Sequence, residues 1–424
     1  MGPPPRVFFE VRELAELSQR RAGERTLRRT SERGYAVETA REGDLDARWS
    51  TVAQETDLEP LPAKVRGVAQ QALLAVQPIA VEPLEDALNT LSAHAQALGA
   101  QLQLGLRETE QRVVCAVGST ARADHRRDLV LELKLTVTRE GKSASLQRER
   151  AYLNGEAFTA AGPALRTLLE EMQGLATRRL EAVAAPSGPL TIVLPPGSDA
   201  GVFFHEVCGH PLEGDVVARG ASYLAQRLGQ RVAEPFVEVR DDPTLGAGVS
   251  FTLDDEGTPA SPARLITGGE VRDALLDSSA AAQLGRAPNG HARRVSFRHP
   301  ALPRMSHTLL APHQGTFEEL VRGVSRGLLV RALTPRHVNL LSGDFSFFIV
   351  EGQLIEDGQV GPFVTPCLLR GNGLTALAGI EAVGADLAAF HGLKGCGKLD
   401  HGPLPVSFGN PTVRISGLMV DAWS

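Results

Sequence analysis

The chain has 424 residues, of which 44 are Lys or Arg and 50 are Asp or Glu, so its formal net charge is −6. Its hydrophobic fraction of 42% and its charged fraction of 22% are typical of globular proteins and exclude a wholly disordered, collagen-like or coiled-coil chain. Because there is no excess of positive charge to replace phosphate counterions, nucleic acid is not expected to be a main partner.

The cysteines and the apolar runs argue against secretion and against insertion into a membrane. Cys115, Cys208, Cys367 and Cys396 are widely spaced and form no CxxC pair, so a disulfide framework is not expected. No apolar run reaches the roughly 18 residues that a membrane span needs, and the first residues contain no apolar signal region. We therefore expect a cytoplasmic protein with no membrane partner.

The first part of the chain has the patterns of a mixed α/β domain. Apolar residues at helical spacing predict helices over 84–98 and 164–181. Strict alternation over 129–138 predicts a strand of an antiparallel sheet, with leucines on one face and polar residues on the other. The Pro-, Ser- and Gly-containing stretch 184–189 breaks both patterns. We place a domain boundary there, so that residues 1–186 form an N-terminal α/β domain.

After this boundary the sequence changes to short strands and turns. Residues 191–194 read as a buried strand, and Asp-Gly or Glu-Gly turns near 254–257 and 356–358 predict hairpins. Thr316 and Glu319 form a capping box that opens a helix near 317–323. Residues 187–424 are therefore predicted to form a β-rich C-terminal domain with a few helices, and the fold class of the whole chain is α+β.

The segment His205-Glu206-Val207-Cys208-Gly209-His210 is the most informative part of the sequence. It is one residue longer than the zinc-peptidase pattern H-E-x-x-H, and residues five apart point about 140° away from each other on a regular α-helix. Two local conformations could bring the histidines together. Gly209 could adopt a left-handed C-cap that ends the helix near Cys208, or the helix could widen into a π turn.

Two imidazoles with a glutamate between them suggest a hydrolytic zinc site. Histidine nitrogens suit Zn²⁺, and Glu206 could take a proton from a metal-bound water. A catalytic zinc needs a third protein ligand, and the residues alone leave four candidates, which are Cys208, Glu213, Asp215 and Cys396. The last of these lies in a glycine-flanked loop beside Lys398, which favours a thiolate.

Several ordered motifs resemble the TldD/PmbA family of metallopeptidases, also called modulators of DNA gyrase. The similarity is strong over 185–424 and weak before it. The motifs that carry it are H-E-V-C-G-H-P-L-E-G-D at 205–215, D-D-E-G-T-P at 254–259, R-M-S-H-T at 304–308, G-D-F-S-F at 343–347, C-G-K at 396–398 and G-N-P-T-V-R-I-S-G-L at 409–418.

This resemblance implies a function, a ligand set and partners. It implies an N-terminal α/β domain, a C-terminal domain built on curved β-sheet, and Zn²⁺ held by His205, His210 and Cys396 with Glu206 as the general base. The expected activity is hydrolysis of peptide bonds in peptides or unfolded protein segments. The histidine motif marks a TldD-like active subunit, which is expected to form a homodimer or a heterodimer with a homologous PmbA/TldE-like subunit.

The sequence also departs from the family pattern at two places. His307 stands where the family usually has Asn, and the loop after Cys396 is one residue longer and contains His401. His307, Lys398 and His401 are candidates for contact with the substrate or its oxyanion. Two alternatives to a zinc peptidase stay open, a non-catalytic binding or scaffold subunit and a thiol hydrolase that uses a cysteine with a histidine.

Overall fold

The computed structural model describes residues 5–423 apart from 22–23, 42–43, 77 and 247–248, and for 21, 40–41, 44–46 and 390–394 it describes the backbone alone. The chain is a mixed α+β protein, as predicted. Among the described residues, no helix combines the length and the apolar character that crossing a membrane requires.

A six-stranded antiparallel sheet dominates the N-terminal part, in the order β3-β2-β1-β4-β5-β6. The strands are β1 Arg6–Arg21, β2 Glu24–Arg41, β3 Asp44–Thr51, β4 Gln101–Val117, β5 Thr120–Arg139 and β6 Lys142–Tyr152. The predicted alternation in β5 is confirmed, because Leu129, Leu131, Leu133 and Leu135 are fully buried. Strand β6 is an edge strand of this sheet.

Four helices pack against the sheet, and they are α1 Ala63–Ala75, α2 Glu82–Ala97, α3 Gly155–Ala160 and α4 Gly162–Arg179. Helices α2 and α4 confirm the two predicted helices, with ends that differ by two residues at most. Their apolar faces, which include Leu88 and Leu169, cover the buried leucines of β5 in one core.

The C-terminal part is built around a closed barrel in which β14, β7, β21, β17 and β15 follow one another and β15 pairs back to β14. These strands are β7 Gly188–Leu194, β14 Arg326–Val338, β15 Asp344–Glu356, β17 Cys367–Asn372 and β21 Val413–Ala422. Strand β16 Gln359–Phe363 pairs with β15 through the predicted turn at 356–358, and β18 Ile380–Val383 pairs with β21.

A second sheet lies beside the barrel in the order β10-β9-β8-β13-β20-β19. Its strands are β8 Val239–Asp241, β9 Ala263–Thr267, β10 Glu270–Val271, β13 His307–Leu310, β19 Ala388–Lys398 and β20 His401–Asn410, and a small pair is formed by β11 Ala292–Arg293 and β12 Leu302–Pro303. The short helices of this part are α5 Val202–Phe204, α6 Gly214–Ala218, α7 Ser278–Gln283, α8 Phe317–Arg322 and α9 Gly373–Ala378. The predicted capping box at the start of α8 is confirmed.

Buried charges join the two parts of the chain. Arg148 on β6 makes two hydrogen bonds to Glu351 on β15, of 2.9 and 3.0 Å. Arg294 donates to Glu38 over 2.6 Å, where both side chains are 2% exposed. The first of these pairs lies at the edge strand β6, so it holds the N-terminal sheet against the barrel.

Candidate metal centre

The histidine motif folds as a π turn. Strand β7 leads into α5, a π-helical turn follows over His205–Gly209, and a 3₁₀ turn covers His210–Leu212. The backbone N–H of His210 donates to the carbonyl of His205, which is the i→i+5 bond of a π-helix. Gly209 has φ −62° and ψ −65°, which is right-handed. The left-handed C-cap was therefore wrong, and the π widening is the conformation that brings the histidines together.

Three donors converge at this turn. The ligand atoms of His205, His210 and Cys396 all lie within 4.8 Å of one another. Cys396 Sγ is 3.2 Å from His210 Nε2, and the two imidazole rings are 5.0 Å apart at 82°. Cys396 is on β19, opposite Leu404 of β20. Lys398 pairs with His401, so the turn between β19 and β20 lies beyond Cys396.

The chemistry of these donors fits a zinc ion. His205 is 2% exposed, and its Nδ1 has no hydrogen-bond partner among the described residues. Burial opposes ionisation of the Cys396 thiol, but His210 and His205 lower its pKa to about 4. The sulfur is therefore a thiolate at neutral pH, the form that binds metals. Two imidazoles and one thiolate are a ligand set that Zn²⁺ favours.

Neighbouring groups favour the protonated form of His210. Burial favours its neutral form, but Glu213 and Cys396 outweigh burial and raise the pKa of His210 well above its ordinary value. Glu213 lies 3.4 Å from His210 Nδ1, and burial of this carboxylate is outweighed by His210 and Lys398, which lower its pKa. Metal binding would have to displace the proton from His210.

The cluster opens into a cavity of about 960 Å³ between the N-terminal sheet and the barrel. Its described walls come from β6, β14, β15, β19, β20 and the π turn, and they include Glu206 with His205, His210 and Cys396. Glu206 Oε2 is 4.0 Å from His210 Nε2. Cys208 is fully buried behind the turn, and burial raises the pKa of its thiol.

The three residues considered for oxyanion contact are not among the described residues that line the cavity. Lys398 Nζ instead forms ion pairs with Glu213 Oε2 at 3.1 Å and with Asp215 Oδ1 at 2.6 Å. His307 is buried in β13. His401 lies against His299, with ring centroids 5.7 Å apart, and burial together with Arg304 lowers its pKa to about 4.

The cavity also contains charged groups that the sequence did not single out. Asp199 and Glu351 lie in its wall. Burial raises the pKa of Asp199 to about 6, although Arg148 opposes this effect. Asp199 lies six residues before His205, and this short separation in sequence could have indicated that it belongs to the site. No pattern could connect Glu351 with the site, since it comes from a strand about 150 residues away.

Comparison with known proteins identifies relatives of this chain. Residues 187–422 match the PmbA/TldA metallopeptidase C-terminal domain. A metalloprotease of Methanothermobacter thermautotrophicus is 36% identical over 245 residues, which are 58% of this chain and 53% of that protein. A "metalloprotease TldD homolog" of Haemophilus influenzae is 30% identical over 321 residues, which are 73% and 65% of the two chains. A "zinc metalloprotease TldD homolog" of Saccharolobus solfataricus is 26% identical over 261 residues, which are 61% and 57%.

The fold has a solved counterpart as well. TldE from Thermococcus kodakarensis superimposes with a TM-score of 0.77 over 99% of this chain and 96% of that chain, at 14% sequence identity. The alignments cover 53% and 65% of the first two relatives, so the chain spans about half to two thirds of the length of these curated proteins. With a family match over more than half of its residues, the chain belongs to the PmbA/TldD family of metallopeptidases.

Proposed function

We propose that this protein is a zinc-dependent peptidase that cleaves peptides or unfolded protein segments. The observation that carries the proposal is the convergence of His205, His210 and Cys396 within 4.8 Å at the wall of a large cavity. The Saccharolobus solfataricus relative is named a zinc metalloprotease, which supports the choice of metal. In this proposal the three residues hold Zn²⁺ and Glu206 is the general base.

The residues around the cluster have separate tasks in this reaction. A bound Zn²⁺ would supply Lewis-acid chemistry, polarising a peptide carbonyl and making a water molecule more acidic. Glu206 faces the cavity beside His210, where its carboxylate would accept the proton of the attacking water and pass it to the leaving amine. The cavity volume of about 960 Å³ is large enough for a stretch of extended polypeptide.

The experiment compares metal content and cleavage in the same protein samples. The purified chain is analysed for zinc, then incubated with an unfolded polypeptide with and without a chelator. We expect Glu206→Ala to keep the zinc and to lose at least about 100-fold in cleavage rate, because a general base contributes roughly 10²–10⁴-fold. The exposed Glu381, paired with Arg414, supplies the control Glu381→Ala, which should cleave as the unmodified protein does.

Three outcomes distinguish the candidate functions. Cleavage that survives removal of the metal would support a thiol hydrolase using Cys396 with His210, which lie 3.2 Å apart. Zinc binding without cleavage would support a binding or scaffold subunit. If Glu206→Ala cleaves at the rate of the unmodified protein, Glu206 is not the general base.

The assembly is proposed from the family resemblance alone. We infer that the chain forms a homodimer or pairs with a homologous subunit of the PmbA/TldE type. Light scattering of the purified chain, alone and with such a subunit, distinguishes a self-associating protein from one that needs a partner. A chain that stays monomeric under both conditions would contradict the proposed assembly.

A further inference from the structure

A network of buried and partly buried charges lies next to the donor cluster, and its members are not among the described residues that line the cavity. It consists of Glu213, Arg304, Lys398 and Asp215, and it joins three sequence motifs that lie far apart in the chain. Glu213 and Arg304 are each 1% exposed. Burying charged groups is unfavourable unless they satisfy one another, so such a network requires a structural or functional reason.

Glu213 is the centre of the network. Its Oε2 lies 3.4 Å from His210 Nδ1 and 3.1 Å from Lys398 Nζ, and its Oε1 lies 3.7 Å from Arg304 Nε. Lys398 is held in turn by Asp215 over 2.6 Å and by the carbonyl of Pro303 over 3.3 Å. The carboxylate of Glu213 therefore has Lys398 within hydrogen-bond distance, Arg304 as a longer ion pair, and one imidazole that it faces.

The same network reaches the third donor. Arg304 donates a hydrogen bond from Nη2 to the backbone carbonyl of Cys396. One arginine thus contacts both the strand that carries Cys396 and the carboxylate that faces His210.

We propose that Glu213 is the positioning residue of the metal centre, fixing the ring orientation and the tautomer of His210. When Nδ1–H of His210 donates to Glu213, the lone pair of Nε2 is left for the metal, on the side where Cys396 Sγ lies 3.2 Å away. Lys398 and Arg304 act as the counter-ions that hold Glu213. This inference rests on the proposed zinc function of His205, His210 and Cys396.

The test measures metal binding directly, without peptidase activity. Zinc affinity is measured by competition with a chromophoric chelator for the unmodified chain, Glu213→Gln and Glu213→Ala, and the absorption spectrum of each protein is recorded with Co²⁺ in place of zinc. We expect Glu213→Ala to weaken zinc binding by about 10- to 100-fold. Glu213→Gln keeps a hydrogen-bond acceptor and should lose less. The cobalt bands should shift in both variants.

A matched control distinguishes loss of position from loss of stability. Glu38 is also a buried glutamate paired with an arginine, Arg294, but it lies at the junction with the N-terminal sheet. Glu38→Gln should lower the unfolding temperature while leaving the zinc affinity and the cobalt spectrum unchanged. An unchanged affinity and spectrum in a folded Glu213→Ala would overturn the inference.

A second measurement needs no variant of Glu213. In the zinc-loaded unmodified chain, ¹⁵N imidazole NMR should show His210 bound through Nε2 with its proton on Nδ1, the resonances being assigned with His210→Gln. Metal ligation through Nδ1 would overturn the inference. If the unmodified chain binds no zinc, the proposed zinc function is wrong. If the chain binds zinc normally but Glu213 variants bind it equally well, only the role of Glu213 is wrong.

Discussion

The π turn depends on the absence of a side chain at position 209. A Cβ on Gly209 would lie 2.9 Å from Met305 Cγ and 3.3 Å from its Sδ, whereas carbon atoms in contact prefer about 3.5–4.0 Å. Met305 is fully buried and belongs to the 304–308 motif, so it has little room to move. Gly209→Ala should therefore force apart the histidine motif and this second motif.

The magnitude follows from two opposing effects. Overpacking a filled core destabilises the folded state by about 1–3 kcal/mol. Replacing Gly by Ala in a helical conformation stabilises it by up to about 1 kcal/mol. We expect Gly209→Ala to lower the free energy of unfolding by about 1–2 kcal/mol and to weaken zinc binding by moving His210. In a Met305→Ala background the clash is gone, so the same change should be neutral or stabilising.

Urea unfolding of the four proteins of this double-mutant cycle, with metal removed, measures the coupling. Gly174→Ala in α4 is the control, since a Cβ there would meet no atom within 4 Å, and it should be stabilising or neutral in both backgrounds. If Gly209→Ala costs the same in both backgrounds, within about 0.5 kcal/mol, the steric explanation of Gly209 is wrong.

Three further predictions concern the thiolate, the junction and the pH dependence of stability. In the metal-free protein at about pH 6, iodoacetamide should alkylate Cys396 before the three other cysteines, and zinc should protect it; uniform labelling by mass spectrometry would contradict the lowered pKa. Arg148→Ala leaves Glu351 buried without its partner and should lower the free energy of unfolding by about 3–5 kcal/mol, most of which an Arg148→Met, Glu351→Leu double variant should restore. His291 and Ser306 outweigh the burial of Asp241 and lower its pKa to about 2. The ionised carboxylate therefore contributes about 2 kcal/mol of stability above about pH 4, and this contribution is lost as the pH falls towards about 2. Asp241→Asn should flatten the decrease of the free energy of unfolding over this acidic range.

Much of the secondary structure could be predicted because it depends on local patterns. The alternation in β5, the apolar stripes of α2 and α4 and the capping box of α8 each depend on residues a few positions apart. The long strands β1 and β2 were not predicted. They carry many charged residues, and their pairing with each other and with β4 is decided by contacts across the sheet.

The metal donors could also be predicted only in part. Spacing alone identified His205 and His210 and required an irregular helix between them, but it left both a left-handed cap and a π turn open. The tertiary structure has the π turn, in which Gly209 packs against Met305 and Thr308 of the 304–308 motif.

The residue types of the site, two histidines, a glutamate and a cysteine, follow from sequence motifs that resemble those of one family. The groups that surround these residues depend on the tertiary structure. It brought Cys396 to His210 from 186 positions away, engaged Lys398 with Glu213 and Asp215, and assembled the cavity from strands of both parts of the chain. A sequence motif reflects the local conformation of neighbouring residues. Ion pairs and cavity walls form between distant segments, which come into contact only when the sheets pack.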